Sequence, residues 1–175
     1  MSETLLALVA LMITTFFVVS QQRGLVETER ELASIELEVL ADAVGSEMME
    51  QIAAKPFDAA TIGINPQDAT LADLTHSTSF GDGLDCPSVC DDIDDFNNMQ
   101  PHTVFFEVGR DASGDPFGFT FAITAEVSYV DTDGQRTPMR TWIKEVTLFV
   151  DQAVEEGERK YQRTSIQVKQ QFSLQ

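Results

Sequence analysis

Two cysteines and a dense run of acids are the residues of this 175-residue chain whose types and spacing suit chemistry. Cys86 and Cys90, in Cys-Pro-Ser-Val-Cys, are its only cysteines. Their spacing is compatible with a small disulfide loop. It suits zinc poorly, because no second pair completes four ligands and His76 and His102 are lone residues in loop sequence. A reactive thiolate would need an electropositive setting, whereas Asp85, Asp91 and Asp92 flank this loop. Next in the chain, Asp91, Asp92, Asp94 and Asp95, with Asp82, Asp85, Asn97 and Asn98 nearby, offer hard oxygen ligands, of which calcium takes about six to eight. The spacing fits no EF-hand loop, and a solvated acidic loop whose carboxylates cap turns is the competing reading. Asp111, Ser113 and Asp115 pose the same choice between a cation site and an ordinary hairpin loop.

Other chemistry finds little support. There is no serine with a nearby histidine signature, no glycine-rich phosphate loop and no pair of histidine ligands, so the expectation is that the chain is not an enzyme. Asp94 and Asp95 are explained by solvation as readily as by acid and base roles. Acids number 29 against 11 lysines and arginines, a formal charge of −18, which repels phosphate backbones and excludes nucleic acid as a partner. Apolar residues at 43% and charged residues at 23% are sufficient for a buried core. The length gives room for one domain, or for a smaller domain plus a long helix.

The elements that position these residues begin with an uncharged run, Thr4 to Ser20, reading TLLALVALMITTFFVVS. It is membrane-facing by composition, yet just short of the ~20 apolar residues a bilayer core needs, with Thr14, Thr15 and Ser20 diluting its far end. It has neither the basic start nor the small-residue cleavage site of a secretory signal, which suggests an already processed chain. Helix-forming sequence continues from Gln21 to about Ala54 with no proline before Pro56. Leu25, Leu32, Ile35, Val39, Leu40, Ala43, Val44, Met48 and Ile52 recur at steps of three, four and seven, predicting an amphipathic helix that packs along one stripe. One helix of roughly fifty residues would be about 75 to 80 Å long, far more than a small domain needs. Gly24 and Gly45 are its weak points.

Residues 56–102 read as an acidic, turn-rich connection, with a short helix expected near Pro66 to Leu74. Strand signals follow at 103–108 and at 118–130, where Phe119, Phe121, Ile123, Ala125, Val127 and Tyr129 alternate with mostly small polar residues. Asp-Thr-Asp-Gly at 131–134 predicts a hairpin turn, and the return strand 141–150 places Trp142, Val146, Leu148 and Val150 on one face. A last strand is expected over Tyr161 to Phe172. The fold class predicted is α+β: a helix over 1–55, apolar in 1–22 and amphipathic in 23–55, packed on an antiparallel sheet head within 56–175.

This organisation resembles type IV pilins and pilin-like proteins, including the pseudopilins of type II secretion. The uncharged N-terminal helix with an early glutamate carries the resemblance across the whole chain. Cys-Asp-Asp-Ile-Asp-Asp-Phe-Asn at 90–97 resembles the aspartate-rich box that precedes the sheet in minor pilins of the mannose-sensitive haemagglutinin type. Tyr-Val-Asp at 129–131, the turn after it and the return strand containing Lys144 are similar as well. The resemblance implies a precursor leader removed by a prepilin peptidase, methylation of the new first residue, Met1, and a pairing of Glu3 with the amine of a neighbouring subunit. In an exported chain of that kind the Cys86 and Cys90 pair is expected to be bonded.

A carboxylate in a hydrocarbon-like setting costs several kcal/mol unless paired, so Glu3 asks for a partner if subunits bundle; hydrated in a headgroup layer it would not. The function implied is a structural subunit of an extracellular filament, held in the inner membrane before a pilus or secretion machinery assembles it into a helical homo-oligomer. The alternative is a single-pass anchored binding module, a minor pilin or adhesin. Arg159, Lys160, Arg163 and Lys169, after the last acid, read either as a basic contact to a neighbour's acidic loop or as a solvated edge strand protected by its charges.

Overall fold

The computed structural model describes residues 2–65, 68–81, 83–84, 86–153 and 165–174. One helix, α1, runs Ser2–Ala53. It passes through both glycines without a break, and at its end Ala54 N–H and Lys55 N–H donate to the carbonyls of Glu50 and Ile52 before Pro56 rules out a further turn. The chain forms two compact units, Met1–Leu37 and Glu38–Gln175.

The first unit is α1 as far as Leu37. Leu8, Leu11, Met12, Ile13, Phe16, Phe17 and Val18 are each more than half exposed, as are Leu25, Leu32 and Ile35. Among the described residues no helix is long and apolar enough to cross a membrane. The hydroxyls of Thr14 and Thr15 donate back to the Leu11 carbonyl, and Gln21, Gln22 and Arg23 follow the uncharged run.

The second unit is a head in which the last turns of α1 cover a sheet. The strands are β1 (His102–Arg110), β2 (Pro116–Val130), β3 (Arg136–Thr137), β4 (Ile143–Ala153) and β5 (Ser165–Ser173). All pair antiparallel in the order β1-β2-β4-β5, with β3 on the end of β2. The period-two pattern decides which side is buried. Phe121, Ile123, Ala125, Val127 and Tyr129 lie inward opposite Gln152, Val150, Leu148, Val146 and Lys144 of β4. α1 adds Ala41, Val44, Met48, Met49 and Ile52 to this core. Gly45 permits the approach: a Cβ there would lie 2.9 Å from Val168 Cγ2 of β5 and 3.1 Å from Val150 Cγ2 of β4.

The single packing stripe expected for α1 proves to combine two faces. Val39 and Ala43, four residues apart, point to solvent, while Ala41, Val44, Met48 and Ile52 are buried, because ~100° per residue separates the two sets. Leu25, Leu32 and Ile35 are not part of the packed stripe.

Residues 56–101 hold three single-turn 3-10 helices, Ala59–Thr61, Ser77–Ser79 and Asp94–Phe96. Of the short helix expected at 66–74, Pro66 lies outside the described residues and 68–74 form turns. Two matched turns serve the sheet. Asp111 Oδ1 accepts from the N–H groups of Ser113 (2.8 Å) and Asp115 (3.0 Å), and Asp131 Oδ1 accepts from those of Asp133 (2.9 Å) and Gln135 (2.8 Å). Gly114 and Gly134, at φ 87° and 74°, take the left-handed place each turn requires. The second turn leads into β3 before the chain reaches β4, rather than directly into the return strand. Tyr161, the expected start of the last strand, lies outside the described residues.

Candidate functional site: a buried charge cluster

Lys144 belongs by alternation to the inward face of β4, between Trp142 and Val146, and its cross-strand partner on β2 is Tyr129. The backbone therefore delivers an ammonium into the core, where Lys144 is 0% exposed. An unpaired buried charge of this kind is prohibitive. Three groups meet it. Nζ donates to the Phe57 carbonyl at 2.6 Å and to Asp58 Oδ2 at 3.1 Å, and it lies 2.5 Å from Asp94 Oδ1. The rings of Phe57, Tyr129 and Phe80 surround it with centroids 4.2, 5.4 and 5.5 Å away, adding the attraction of aromatic faces for a cation.

Asp58 is positioned by the way the chain leaves α1. After Pro56 it caps the Ala59–Thr61 turn, where Oδ1 accepts from Ala60 N–H at 3.0 Å. The same carboxylate accepts from Thr75 N–H (2.8 Å) and the Thr75 hydroxyl (2.9 Å), while the Thr75 carbonyl accepts from the Tyr129 hydroxyl at 2.6 Å. The aspartate-rich box arrives from the other side. Ile93 N–H donates to the Pro56 carbonyl (3.1 Å), Ala59 N–H to Asp92 Oδ2, and Lys55 Nζ to the Cys90 carbonyl. The exit of α1 is thus pinned between the box and β4.

Three carboxylates, those of Asp58, Asp92 and Asp94, place oxygens within 4.8 Å of one another around one ammonium. The charge imbalance shows in their acidities. Burial pushes Asp58 up, but the Thr75 N–H and the Lys144 charge outweigh it and hold the carboxyl below the usual range. Burial raises Asp92 despite the Ala59 N–H. Asp94 is raised to about 7, chiefly by burial, with the adjacent Lys144 ammonium opposing. Burial and the neighbouring Asp94 drive the Tyr129 phenol well above its ordinary value. With its four charged residues buried, the cluster ties the exit of α1 to the sheet from within the head.

The structure separates the four residues read as calcium ligands. Asp92 and Asp94 join the cluster, with Asp58 as the third carboxylate. Asp91 is exposed, and Asp95 turns its carboxylate to the Asp91 N–H at 2.8 Å. Where Asp58 and Asp94 converge, the positive charge is the Lys144 ammonium. Asp82 and Asp85 lie outside the described residues. Cys86 and Cys90 are bonded as a disulfide, with Cα atoms 5.3 Å apart, and close the short loop that leads into the box. His76 caps the Ser77–Ser79 turn through Nδ1, and His102 begins β1. Asp111 and Asp115 form the ordinary hairpin turn. Met1 lies outside the described residues, and Glu3 is placed as a backbone position of α1. Of the basic segment, Arg159, Lys160 and Arg163 lie outside the described residues, while Lys169 on β5 is 3.9 Å from Glu145.

Asp58, Thr75 and Lys144 were absent from the sequence-based site. Lys144 carried the clearest signal, as the one charge at an inward position of β4. Comparison of the chain with protein-family models, with curated proteins and with solved structures finds no match.

Proposed function

We propose that this chain is a structural subunit of an extracellular, type IV pilus-like filament, polymerising through the first half of α1. The observation that supports the reading is the exposure of Leu8, Leu11, Met12, Ile13, Phe16, Phe17 and Val18, large side chains on an uncharged helical run. Leaving them in water costs about 25 cal/mol per Å² of apolar area. In this reading lipid covers them in the inner membrane before assembly, and the same run of other copies covers them afterwards. A contact that does not close on itself propagates as a helical polymer. Glu3 then pairs with the Met1 amine of a neighbouring copy, and the head, tied at the exit of α1 by Lys144, forms the filament surface. This reading assigns the chain no catalytic role.

Electron microscopy of filaments sheared from source cells, with intact-mass analysis of their subunit, tests the reading. The expected result is this chain as an abundant component, methylated on Met1 and two hydrogens lighter than its reduced mass. Recovery only as a monomer from the membrane fraction overturns it in favour of the anchored binding module.

A further inference from the structure

The proposed polymerisation uses the uncharged run and leaves a second apolar surface without a role. Leu25, Leu32 and Ile35 are 65%, 56% and 56% exposed, and they share one face of α1 within the first unit. Leu25 and Leu32 are seven residues apart, a step over which a helix drifts only ~20°, and Ile35 follows at three. Such a row is the seam of a helix pair, its apolar positions asking for knobs from a second helix.

The flanks decide which helix fits. Glu29 and Glu36 border the row on one side and Glu31 on the other, all exposed and none in an ion pair among the described residues. These are the positions whose charges set partner choice in helix pairs. Arg23 and Arg30, again seven apart, lie on the opposite face at ~100° per residue. A second copy docked on the row sets glutamate against glutamate in either orientation, so the flanks disfavour self-pairing there. The complementary occupant has the same apolar spacing with lysine or arginine on both borders.

We infer that the face Leu25–Leu32–Ile35 of α1 is a docking seam for a basic amphipathic helix of a different protein, distinct from the uncharged run that serves polymerisation. The apolar row supplies affinity, and the three glutamates supply selection.

The test uses the full chain in dodecyl maltoside, with protein-free micelles as the blank. Fluorescence anisotropy follows a labelled 28-residue synthetic helix with leucine and isoleucine at its seam and lysine on both borders. A glutamate-bordered version of the peptide, and a lysine-bordered one with serine at the seam, are the controls. The expected result is saturable binding of the first peptide, at least tenfold tighter than either control and weakened by salt. Leu32→Ser reduces it at least tenfold. The triple change E29K/E31K/E36K reverses the preference toward the glutamate-bordered peptide. Equal binding of the two lysine-bordered peptides shows attraction by net charge alone and overturns the proposal. So does an unchanged preference in the triple variant. Filament counts are read separately: normal filaments from Leu32→Ser leave the polymerisation reading standing whichever way the peptide result falls.

Discussion

Lys144 of β4 and Asp58 at the exit of α1 are 86 residues apart in the chain, yet the ammonium donates to the carboxylate at 3.1 Å with both side chains wholly buried. Removing one partner of such a pair is far more damaging than replacing both, because the remaining charge has no solvent to return to. Lys144→Met is expected to lower unfolding stability by about 3–5 kcal/mol, read as the urea midpoint of the purified chain. The double change Lys144→Met with Asp58→Asn should recover part of that loss. A single variant within 1 kcal/mol of the parent would show that the cluster does not tie the head.

The acidity of Asp94 gives the head an unusual pH response. Its carboxyl keeps its proton in the folded state up to about 7, against an ordinary 3.8. The folded state therefore binds more protons between these values, and the stabilisation present below 3.8 is lost as pH rises through 7. Asp58 acts in the opposite sense: it stabilises above 3.8, and that contribution is lost as pH falls through its lowered value. Unfolding midpoints at pH 4.5 and 7.5 should show the parent weaker at the higher pH. Asp94→Asn should remove most of that difference by raising the value at pH 7.5. An unaltered pH slope in Asp94→Asn would remove Asp94 as its source.

Two glycines of one helix should respond oppositely to substitution. Gly45→Leu drives a side chain into Val150 and Val168 and should cost about 1–3 kcal/mol, or more if the strand shifts. Gly24 has no atom within 4 Å of a built Cβ, so Gly24→Ala should raise helical stability by up to about 1 kcal/mol. Circular dichroism at 222 nm during thermal unfolding compares them.

The disulfide closes a short loop, so its contribution sits at the low end of the usual range, about 2 kcal/mol by loop-closure entropy. Cys86→Ser with Cys90→Ser should reduce the unfolding midpoint accordingly and loosen the aspartate box. Faster amide hydrogen exchange at Ala59, whose N–H donates to Asp92, would report the loosening.

The strands and the long helix were legible because their signals are periodic. Alternation from Phe121 to Tyr129 and the uninterrupted span up to Pro56 are properties of neighbouring residues. The packed face of α1 was misjudged because steps of three, four and seven, taken together, admit residues from two faces; Ala41, Val44, Met48, Met49 and Ile52 lie on the buried one. The charge cluster was out of reach for a different reason. Asp58, Thr75, Asp94 and Lys144 meet only once the sheet has formed, and each has an innocent local explanation as a turn cap, loop acid or strand-edge lysine. Asp92 and Asp94 were recognised as unusual in density and read either as calcium ligands or as solvated turn caps; nothing local says that a lysine fifty residues beyond Asp94 meets it.

β1 stands at the end of the strand order, and among the described residues it is the edge where Phe105 and Val108 are half exposed. The charges on this strand, Glu107 and Arg110, are 3.0 Å apart and largely cancel. Such an edge lacks the like-charged side chains that usually keep strands of separate molecules from zipping together. What keeps the heads apart in dilute buffer is then the long-range repulsion of a chain carrying −18. At about 1 M salt the Debye length falls to about 3 Å and that repulsion disappears. Colloidal solubility of the purified protein is therefore a property of the solvent as much as of the sequence, and salting should bring aggregation that begins at β1.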